Sequence, residues 1–479
     1  MYSGILFNII NNILFVTISY FIHYFLGSVS TPAEYGVIGT IITILDFEYL
    51  FLNNGARQSI SNELSKQKYQ VKDLLFKAFL FQILIIIIMF SINYFGANFF
   101  AQILSDKSLN YYFKVAAFII LLNGIYVLFV GINEGIKCFK SGSSIIILYS
   151  IAKLSIVYWV LYGVNNAVLG TELGFITSNV VALITGLVTV FLNRSKLYGH
   201  FEEKIKFISY AKNALSFSIF FIIVSAVLSI DVLVVKAVVE NENMAGFYTG
   251  ALNFGKVSYF MLSSFFGIVI PVVTSYYTEG KIYEANETIK SIISLILTFI
   301  MPVAFIISAS SNWLLTSFYS KEYISASRAL SILAVSHFLM GIVVILNMII
   351  SSTGKKKFSS MLSILVLIAD VPLCIVLTKK FGISGTALAG FLCTILALIF
   401  SYKYASKIFK IELEKKHIKM LFFNIFIWIA LKVLSNYIFI DNIFILGFLY
   451  FVLYILTIMT FNFIKVINIK ELIHKFLKN

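Results

Sequence analysis

Residues 227–256 read VLSIDVLVVKAVVENENMAGFYTGALNFGK, and this stretch holds two long apolar runs separated by a short acidic loop. Asp231 lies inside the first run, and Lys236 follows it five residues later. A charged side chain among leucine, isoleucine and valine is costly unless it has a partner or water. The meaning of Asp231 therefore depends on whether water or lipid surrounds this run, which the composition of the chain indicates.

The chain has the composition of a membrane protein. Of its 479 residues, 60% are hydrophobic and only 12% are charged, whereas a soluble domain has about 25% charged residues. One helix needs about 20 apolar residues to cross the hydrocarbon core, so this hydrophobic fraction would fill about fourteen spans. No segment alternates polar and apolar residues as a barrel strand does. The sequence therefore predicts an all-α polytopic membrane protein with about 14 transmembrane helices.

The predicted spans follow one another closely along the chain. Even the longest connections, residues 192–212 and 403–418, leave no room for an inserted soluble domain. The spans are predicted near residues 4–26, 36–55, 76–95, 113–133, 144–162, 167–191, 213–235, 247–271, 287–309, 326–351, 359–378, 383–402, 419–438 and 443–463.

Positive charge is distributed unequally between the two sides of this topology. Of the 37 Lys and Arg residues, 27 fall on the side of the termini, seven on the other side and three inside spans. Loops rich in Lys and Arg remain in the cytoplasm, so both termini are predicted to be cytoplasmic. The net charge of +15 is spread over short loops on one side. Topology and an anionic inner leaflet explain it better than nucleic acid does.

Several charged residues lie deep inside the predicted spans. Lys153, Asp46 and Asp370 are close to mid-span, Lys256 lies within the eighth span, and Asp231 is nearer the end of its own. A charge at this depth costs at least about 2.5 kcal/mol, so these side chains are expected to face a water-filled cavity or one another. The alternative is structural: a buried ion pair, a hydrogen bond to a neighbouring helix, or incomplete snorkelling of a lysine to the headgroups.

The chain also shows signs of an internal duplication. TPAEYGVIGT at 31–40 resembles NMAGFYTGA at 243–251, with Gly36 matched to Gly246. KSGSSIIILYSIAKL at 140–154 resembles TGKKKFSSMLSILVL at 353–367 in the same order. Two parallel repeats of six spans are therefore predicted. They comprise an N-terminal lobe at 1–192, a cytoplasmic linker at 193–212, a C-terminal lobe at 213–403, and two extra helices with a basic tail at 404–479.

Five motifs, spread over much of the chain, resemble one known family. They are P-x-E-Y-G at 32–36, D-V-L-V-V-K-x(9)-G-x-Y at 231–248, NWLLTSFYSKEYISASRAL at 312–330, SSTGKKKFSSML at 351–362 and FGISGTALA at 381–389. In this order they resemble the Wzx-like O-antigen and polysaccharide repeat-unit flippases of the multidrug/oligosaccharidyl-lipid/polysaccharide exporter superfamily. These motifs are mostly packing and turn signals, so they indicate the family and not the sugar.

The resemblance implies a transporter and not an enzyme. Its members move an isoprenoid-pyrophosphate-linked oligosaccharide, such as an O-antigen unit of lipopolysaccharide or a capsule unit, from the cytoplasmic to the outer leaflet of the bacterial inner membrane. They do so by alternating access between two lobes, and several couple transport to H⁺ or Na⁺. Glycosyltransferases and a polymerase of the same pathway are the implied partners. No bound cofactor is expected, and no phosphate-binding G-x-x-x-x-G-K-[ST] motif is present.

A wet path for a pyrophosphate must offer cations. We therefore expect Lys153 and Lys256 to contact the pyrophosphate, because lysine is a point charge that can release its load. Arg57, at the cytoplasmic end of the second span, is expected to meet the pyrophosphate on entry, with a role as a topology determinant as the alternative. Asn8 and Asn12 share one face of the first span and are candidates for sugar hydroxyls, with helix–helix hydrogen bonding as the alternative. Candidate ion-coupling residues are Asp46, Asp231 and Asp370.

Three other functions remain open at this point. A cation-coupled drug exporter or a lipid II flippase of the same superfamily would share the architecture. A lipid II flippase is expected to have more arginine in its N-terminal lobe. A membrane polymerase or ligase for lipid-linked glycans would need a large outer loop, and the predicted outer loops are short.

Overall fold

The structure is a computed structural model. It describes residues 2–197, 203–263, 275–277, 279–353, 355–409, 414–438 and 442–463, with residues 269, 273, 411 and 440. The side chains of residues 2–13 and 216–224, and a few single ones, lie outside this description. Within these residues the chain is helical and forms no β-strand; an isolated bridge joins Tyr69 and Glu203. Helices satisfy their own backbone hydrogen bonds, which a lipid environment requires.

The contacts divide the chain into two units, Met1–Gly246 and Phe247–Asn479. The first unit contains two π-helical turns, Asn53–Arg57 and Trp159–Gly163. The helices of this unit are α1 Tyr2–Val29, α2 Pro32–Leu52, α3 Gln58–Ser65, α4 Val71–Ile103, α5 Leu109–Gly135, α6 Phe139–Ala152, α7 Ser155–Tyr158, α8 Ala167–Leu192 and α9 Phe207–Val238.

The second unit follows from within α10, Asn243–Gly255. Its further helices are α11 Val257–Ser263, α12 Ile282–Leu295, α13 Met301–Ala309, α14 Ser311–Phe318, α15 Ser327–Ser352, α16 Lys356–Phe409, α17 Lys415–Tyr437 and α18 Ile443–Phe463. Nine helical stretches in the described part of the chain are long and apolar enough to cross a membrane, with a shorter one at Leu14–Val29. The predicted all-α polytopic class is confirmed, and the count of fourteen spans stays a prediction.

Several spans are interrupted, and two interruptions have a clear local cause. Pro302 has no amide hydrogen to donate, and a π-helical turn at Ile296–Ile300 precedes it between α12 and α13. Within α16, Gly382 has φ +59° and ψ −147°, a conformation that only glycine adopts readily, so this long element is two helices joined at a kink.

Two further interruptions coincide with predicted site residues. The fifth predicted span divides at Lys153 and Leu154, between α6 and α7. The eighth divides at Lys256, between α10 and α11. Backbone hydrogen bonds continue through both positions: the Lys153 amide donates to the Tyr149 carbonyl at 3.1 Å, and the Lys256 amide donates to the Leu252 carbonyl at 3.0 Å. Both lysines therefore lie at short turns within a membrane helix.

The contacts of α9 place it with the first unit. It packs against α2, α3 and α4, and Tyr210 donates a hydrogen bond of 3.3 Å to the carbonyl oxygen of Ala56. The sequence assigned residues 213–235 to the C-terminal lobe. The division into two lobes of six spans remains a prediction.

Candidate functional site

Lys153 lies at the C-terminal end of α6 inside a cage of aromatic rings. Its Nζ lies 4.6 Å from the ring centre of Phe15, 5.1 Å from that of Tyr149 and 5.3 Å from that of Phe175. The residue is only 8% exposed. Aromatic faces attract an ammonium group, more strongly where water is excluded. The break after α6 thus places a cation inside a membrane span.

Asp46 of α2 is the carboxylate whose charge acts on Lys153 and on Tyr149. Its side chain is exposed, whereas Glu48 is buried and accepts a hydrogen bond from Asn93 Nδ2. Two residues along an α-helix turn the side chain by about 200°, so these two carboxyl groups point to different sides. Of the two, Asp46 therefore belongs to the Lys153 site.

A set of tyrosines, Tyr49, Tyr126 and Tyr149, connects this site with the end of α2, and we call it the aromatic ladder. The rings of Tyr126 and Tyr149 stack with centroids 5.4 Å apart and an interplanar angle of 29°. Tyr49 interacts electrostatically with both Tyr126 and Arg57. The ladder thus joins two predicted pyrophosphate contacts, Lys153 and Arg57, within the first unit.

Arg57 is held in a bidentate ion pair at the π-helical turn after α2. Its Nη2 lies 2.5 Å from Glu134 Oε1, its Nε lies 3.1 Å from Glu134 Oε2, and its Nη1 donates to Asn53 Oδ1 at 3.0 Å. The turn approaches α5 closely at Gly131, which has no side chain. A β-carbon added to Gly131 would lie only 2.7 Å from the Arg57 carbonyl oxygen. In this conformation the Arg57 guanidinium donates hydrogen bonds to both carboxylate oxygens of Glu134.

Two of the predicted ion-coupling residues are buried. Asp231 lies in α9, and its Oδ1 accepts a 2.9 Å hydrogen bond from the amide of Val232. Asp370 of α16 lies with Cys374 Sγ 3.6 Å from its Oδ1. One turn beyond Cys374, the hydroxyl oxygens of Thr378 and Thr386 are 2.7 Å apart. Asp370 therefore belongs to a buried polar cluster of the second unit.

The remaining predicted contacts are placed less completely. Lys256 is half-buried, its amide donates to the Leu252 carbonyl at 3.0 Å, and its carbonyl accepts from the Phe260 amide at 3.0 Å. Asn8 and Asn12 lie in α1, but their side chains fall outside the described part of the structure. The structure thus places Asp46 within electrostatic range of Lys153 and connects Arg57 to them through the aromatic ladder.

Sequence reasoning missed several residues of this region. Glu134, the tyrosines of the ladder and the buried Glu172 of α8 were not singled out. Glu172 could have been identified from the sequence, because it is a carboxylate inside the apolar run of 167–191. The tyrosines had none, because at 16% aromatic content a single tyrosine is not distinctive.

The arrangement can bind an anion next to a titratable carboxylate. Lys153 supplies positive charge, and Asp46 supplies a competing negative charge or a site for a cation. In the part of the chain that the structure describes, no group of three or more His, Cys, Asp and Glu side chains could hold a metal ion. The site therefore holds a cation and a carboxylate inside the membrane-spanning part of the first unit.

Fold and composition together define a polytopic membrane protein. The chain belongs to a family described as polysaccharide biosynthesis protein, whose profile matches residues 29–328. It is also 22% identical, over 389 residues, to an uncharacterized membrane protein of Methanocaldococcus jannaschii, covering 78% of this chain and 74% of the relative. The predicted family is thereby confirmed at the level of polysaccharide biosynthesis.

Solved structures share the fold. The lipid II flippase MurJ, in an inward closed conformation, is 16% identical with a TM-score of 0.69, over 97% of this chain and 98% of that one. An inward-facing multidrug resistance transporter of the MATE family in the MOP superfamily is 12% identical with a TM-score of 0.66, over 83% and 96% of the two chains. The fold is that of flippases and transporters of this superfamily.

Proposed function

We propose that this protein is a flippase for an isoprenoid-pyrophosphate-linked oligosaccharide, an O-antigen or capsule repeat unit. In the proposal it moves the glycan from the cytoplasmic to the outer leaflet of a bacterial inner membrane by alternating access, with both termini in the cytoplasm. Glycosyltransferases would supply the substrate and a polymerase would consume it. Membership of a polysaccharide biosynthesis family and the flippase fold support this assignment.

The observation that carries the proposal is Lys153. A lysine buried inside a span is costly even beside aromatic rings and a carboxylate, and a bound pyrophosphate, the charged part of the proposed substrate, would offset that cost. Because lysine is a point charge without a bidentate grip, it can bind a phosphate oxygen and release it. Lys256, at the turn between α10 and α11, and Arg57, once released from Glu134, are the further cations we assign to the pyrophosphate. Asn8 and Asn12 are assigned to sugar hydroxyls.

Asp46 gives this site a means of coupling to an ion. While Asp46 is ionised, its carboxylate competes with the pyrophosphate for electrostatic attraction to the Lys153 ammonium group. Binding of H⁺ or Na⁺ to Asp46 removes that competition, so the cation and the anionic substrate favour each other's binding. Asp231 and Asp370 are proposed as further carriers of the coupling ion, the latter with the hydroxyls of Thr378 and Thr386 nearby.

The test is flipping of a purified isoprenoid-pyrophosphate-linked oligosaccharide in proteoliposomes, read as its accessibility to an external lectin. We expect Lys153→Met to reduce the initial rate at least tenfold, because a bound phosphate loses a charged partner worth about 1.5–3 kcal/mol. Lys153→Arg should retain part of the rate. Lys114→Met is the matched control, because Lys114 also lies against an aromatic ring, with Nζ 5.9 Å from the centre of Tyr94. Wild-type rates for Lys153→Met would exclude Lys153 from the mechanism.

A drug exporter is the second candidate, because the exposed carboxylate of Asp46 would attract an organic cation. The same vesicles loaded with ethidium distinguish the two functions. Ethidium transport that depends on Asp46, without transport of the lipid-linked glycan, would favour the exporter.

A further inference from the structure

Glu172 is the carboxyl group that the proposed mechanism leaves unused. It lies in the second turn of α8, inside a membrane span, and is 1% exposed. Neither Oε1 nor Oε2 receives a hydrogen bond from any residue that the structure describes. An unpaired carboxylate at such a site is costly, whereas the neutral acid is tolerated more easily. A buried carboxyl without a partner inside a span therefore calls for a function.

The surroundings of Glu172 follow from the packing of α8. Gly174 lies against Ile156 of α7, and Gly186 lies against Phe129 of α5. Glu172 is 14 residues before Gly186, close to four full turns, so it shares the face of α8 that packs on α5.

The register between α5 and α8 is set by hydrogen bonds at both ends. Asn166, at the start of α8, donates to the hydroxyl of Tyr112 at 2.8 Å. Asn133 of α5 donates to the hydroxyl of Thr189 at 3.1 Å. The two helices therefore run parallel. Glu172 is level with the small residues near Ala116 and Ala117, which offer it no donor.

The same register places two more hydrogen-bond acceptors without donors about two helical turns further along α5 and α8. Asn179 is level with Asn123, and both side-chain Oδ1 atoms also lack a donor among the described residues. Seven residues separate Asn179 from Glu172, about 10 Å along the helix axis. These oxygens therefore do not converge with the carboxyl group as the ligands of a metal ion must. A proton, in contrast, needs only the one carboxylate.

The charged and titratable groups of the elements packed on α8 leave Glu172 without a counter-charge. Near the start of α8 they are Tyr112 and Lys114 of α5, Tyr149 of α6, Lys153 at its end, Tyr158 of α7, Tyr162 of the π-helical turn that follows it, and Asp46 of α2. None lies within ion-pair or hydrogen-bond distance of the Glu172 carboxyl oxygens. Phe175, one turn after Glu172, stands toward Lys153 with its ring centre 5.3 Å from Nζ. The carboxyl thus lies one helical turn from the aromatic cage of Lys153.

We propose that Glu172 is a proton-binding site of the first unit, neutral when α8 is packed and ionised only when the α5–α8 interface opens to water. The carboxylate takes up the proton on one oxygen and returns it to water on release, without other chemistry. Ionised Glu172 would add negative charge near the Lys153 cage and weaken its hold on an anion. That coupling role rests on the proposed function, whereas the proton site itself does not.

The first measurement is the pH dependence of the melting temperature in detergent, from pH 5 to pH 8. A carboxyl that stays protonated in the folded protein but ionises in the unfolded chain lowers stability as the pH rises. The wild type should therefore lose melting temperature relative to Glu172→Gln over this range. Identical pH dependence of the two proteins would overturn the proposal.

The second measurement locates the proton on the wild-type protein and does not depend on a variant that folds. Dicyclohexylcarbodiimide reacts with protonated carboxyls: the acid O–H adds across a C=N bond, and the adduct rearranges to a stable N-acylurea with no leaving group. We expect this adduct on the peptide containing Glu172 at pH 7, where an exposed carboxyl is ionised. Glu63 is the control, since it is equally buried but paired with Lys66 at 2.8 Å. Modification of Glu63 with none at Glu172 would also overturn the proposal.

Transport separates this proposal from the proposed function. If Glu172→Gln keeps flipping but loses its acceleration by an inward-directed proton gradient, the site couples. If no variant and no wild-type protein flips the glycan while both proton measurements succeed, the proposed function fails and the proton site stands.

Discussion

Gly36 and Gly246 contact each other through their backbones. A β-carbon added to Gly36 would lie 2.7 Å from the amide nitrogen of Gly246, and one added to Gly246 would lie 1.8 Å from the carbonyl oxygen of Pro32. The sequence matched these two glycines as equivalent positions of its repeats. The structure adds that they touch, so each is needed because the other chain segment passes where a side chain would be.

Replacing Gly246 with alanine should destabilise the protein. The β-carbon cannot be accommodated without moving α2 or α10, and overpacking of this kind costs about 1–3 kcal/mol. Thermal unfolding in detergent measures the loss. Gly390→Ala is the control, because a β-carbon there meets no atom within 4 Å and favours the helix. A Gly246→Ala protein as stable as Gly390→Ala would contradict the close approach.

The ion pair of Lys236 with Asp106 should stabilise the end of α9. Its atoms are 2.6 Å apart, with side chains 4% and 13% exposed. Removing one partner of a buried pair costs about 3–5 kcal/mol, because the other charge is left uncompensated. We expect Asp106→Asn to lose more stability in thermal unfolding than the double variant with Lys236→Met. Equal losses would show that the pair is solvated in solution.

The same pair predicts a pH dependence. Burial raises the pKa of Asp106, but the hydrogen bonds from Lys236 and Ser108 outweigh burial and place the pKa below its ordinary value of 3.8. A carboxylate with a lowered folded-state pKa contributes stability above its unfolded pKa and loses it as the pH falls through the folded pKa. The difference between wild type and Asp106→Asn should therefore be constant above about pH 5 and shrink below pH 3.8. A difference that shrinks already near neutral pH would contradict this assignment.

Releasing Arg57 should strengthen anion binding. Glu134 holds its guanidinium in two hydrogen bonds, so Glu134→Gln removes the competing charge. We expect the affinity for inorganic pyrophosphate to rise about tenfold, which corresponds to about 1.4 kcal/mol. Calorimetry in detergent measures it. Glu63→Gln, which breaks the pair with Lys66, is the control and should have no effect. An unchanged affinity in Glu134→Gln would remove Arg57 from the site.

Neutralising Asp46 should have two opposite effects on transport. Without its competing charge, Lys153 should bind pyrophosphate more tightly, while glycan flipping slows because release is no longer driven by ionisation of Asp46. Titration with inorganic pyrophosphate and the lectin assay measure the two effects. Glu48→Gln is the control, since Glu48 is two residues away but is bonded to Asn93 on another side of α2. Equal effects of the two variants would assign Asp46 no special role.

Sodium should stabilise the second unit if Asp370 holds the coupling cation. A ligand at 100 times its Kd stabilises the folded state by about 2.7 kcal/mol. Sodium chloride should therefore raise the melting temperature above that in choline chloride, and Asp370→Asn should abolish the difference. Asp73→Asn, whose carboxylate is paired with Lys77 at 2.8 Å, is the control. A sodium effect that survives in Asp370→Asn would place the cation elsewhere.

The sequence by itself determined the class of the protein and where to look. Composition required membrane helices, because apolar runs of this number can be buried only in lipid. The cost of a buried charge singled out Lys153 and Asp46 as functional candidates. The matched glycines at positions 36 and 246 were also visible, since only their order along the chain was needed.

Only the tertiary structure decided which of these residues act together. The sequence near Arg57 does not indicate that Glu134 is its partner. Glu134 is 77 residues away, and the two side chains meet only because α2 packs on α5. The break of the helix at Lys153 has no proline or glycine beside it that would mark it in the sequence. The periodicity of the sequence assigns a side chain to one face of its own helix. The contacts across that face arise only when separate helices pack together. For this reason the aromatic ladder, and the lack of a hydrogen-bond donor at the Glu172 carboxyl group, are apparent only in the tertiary structure.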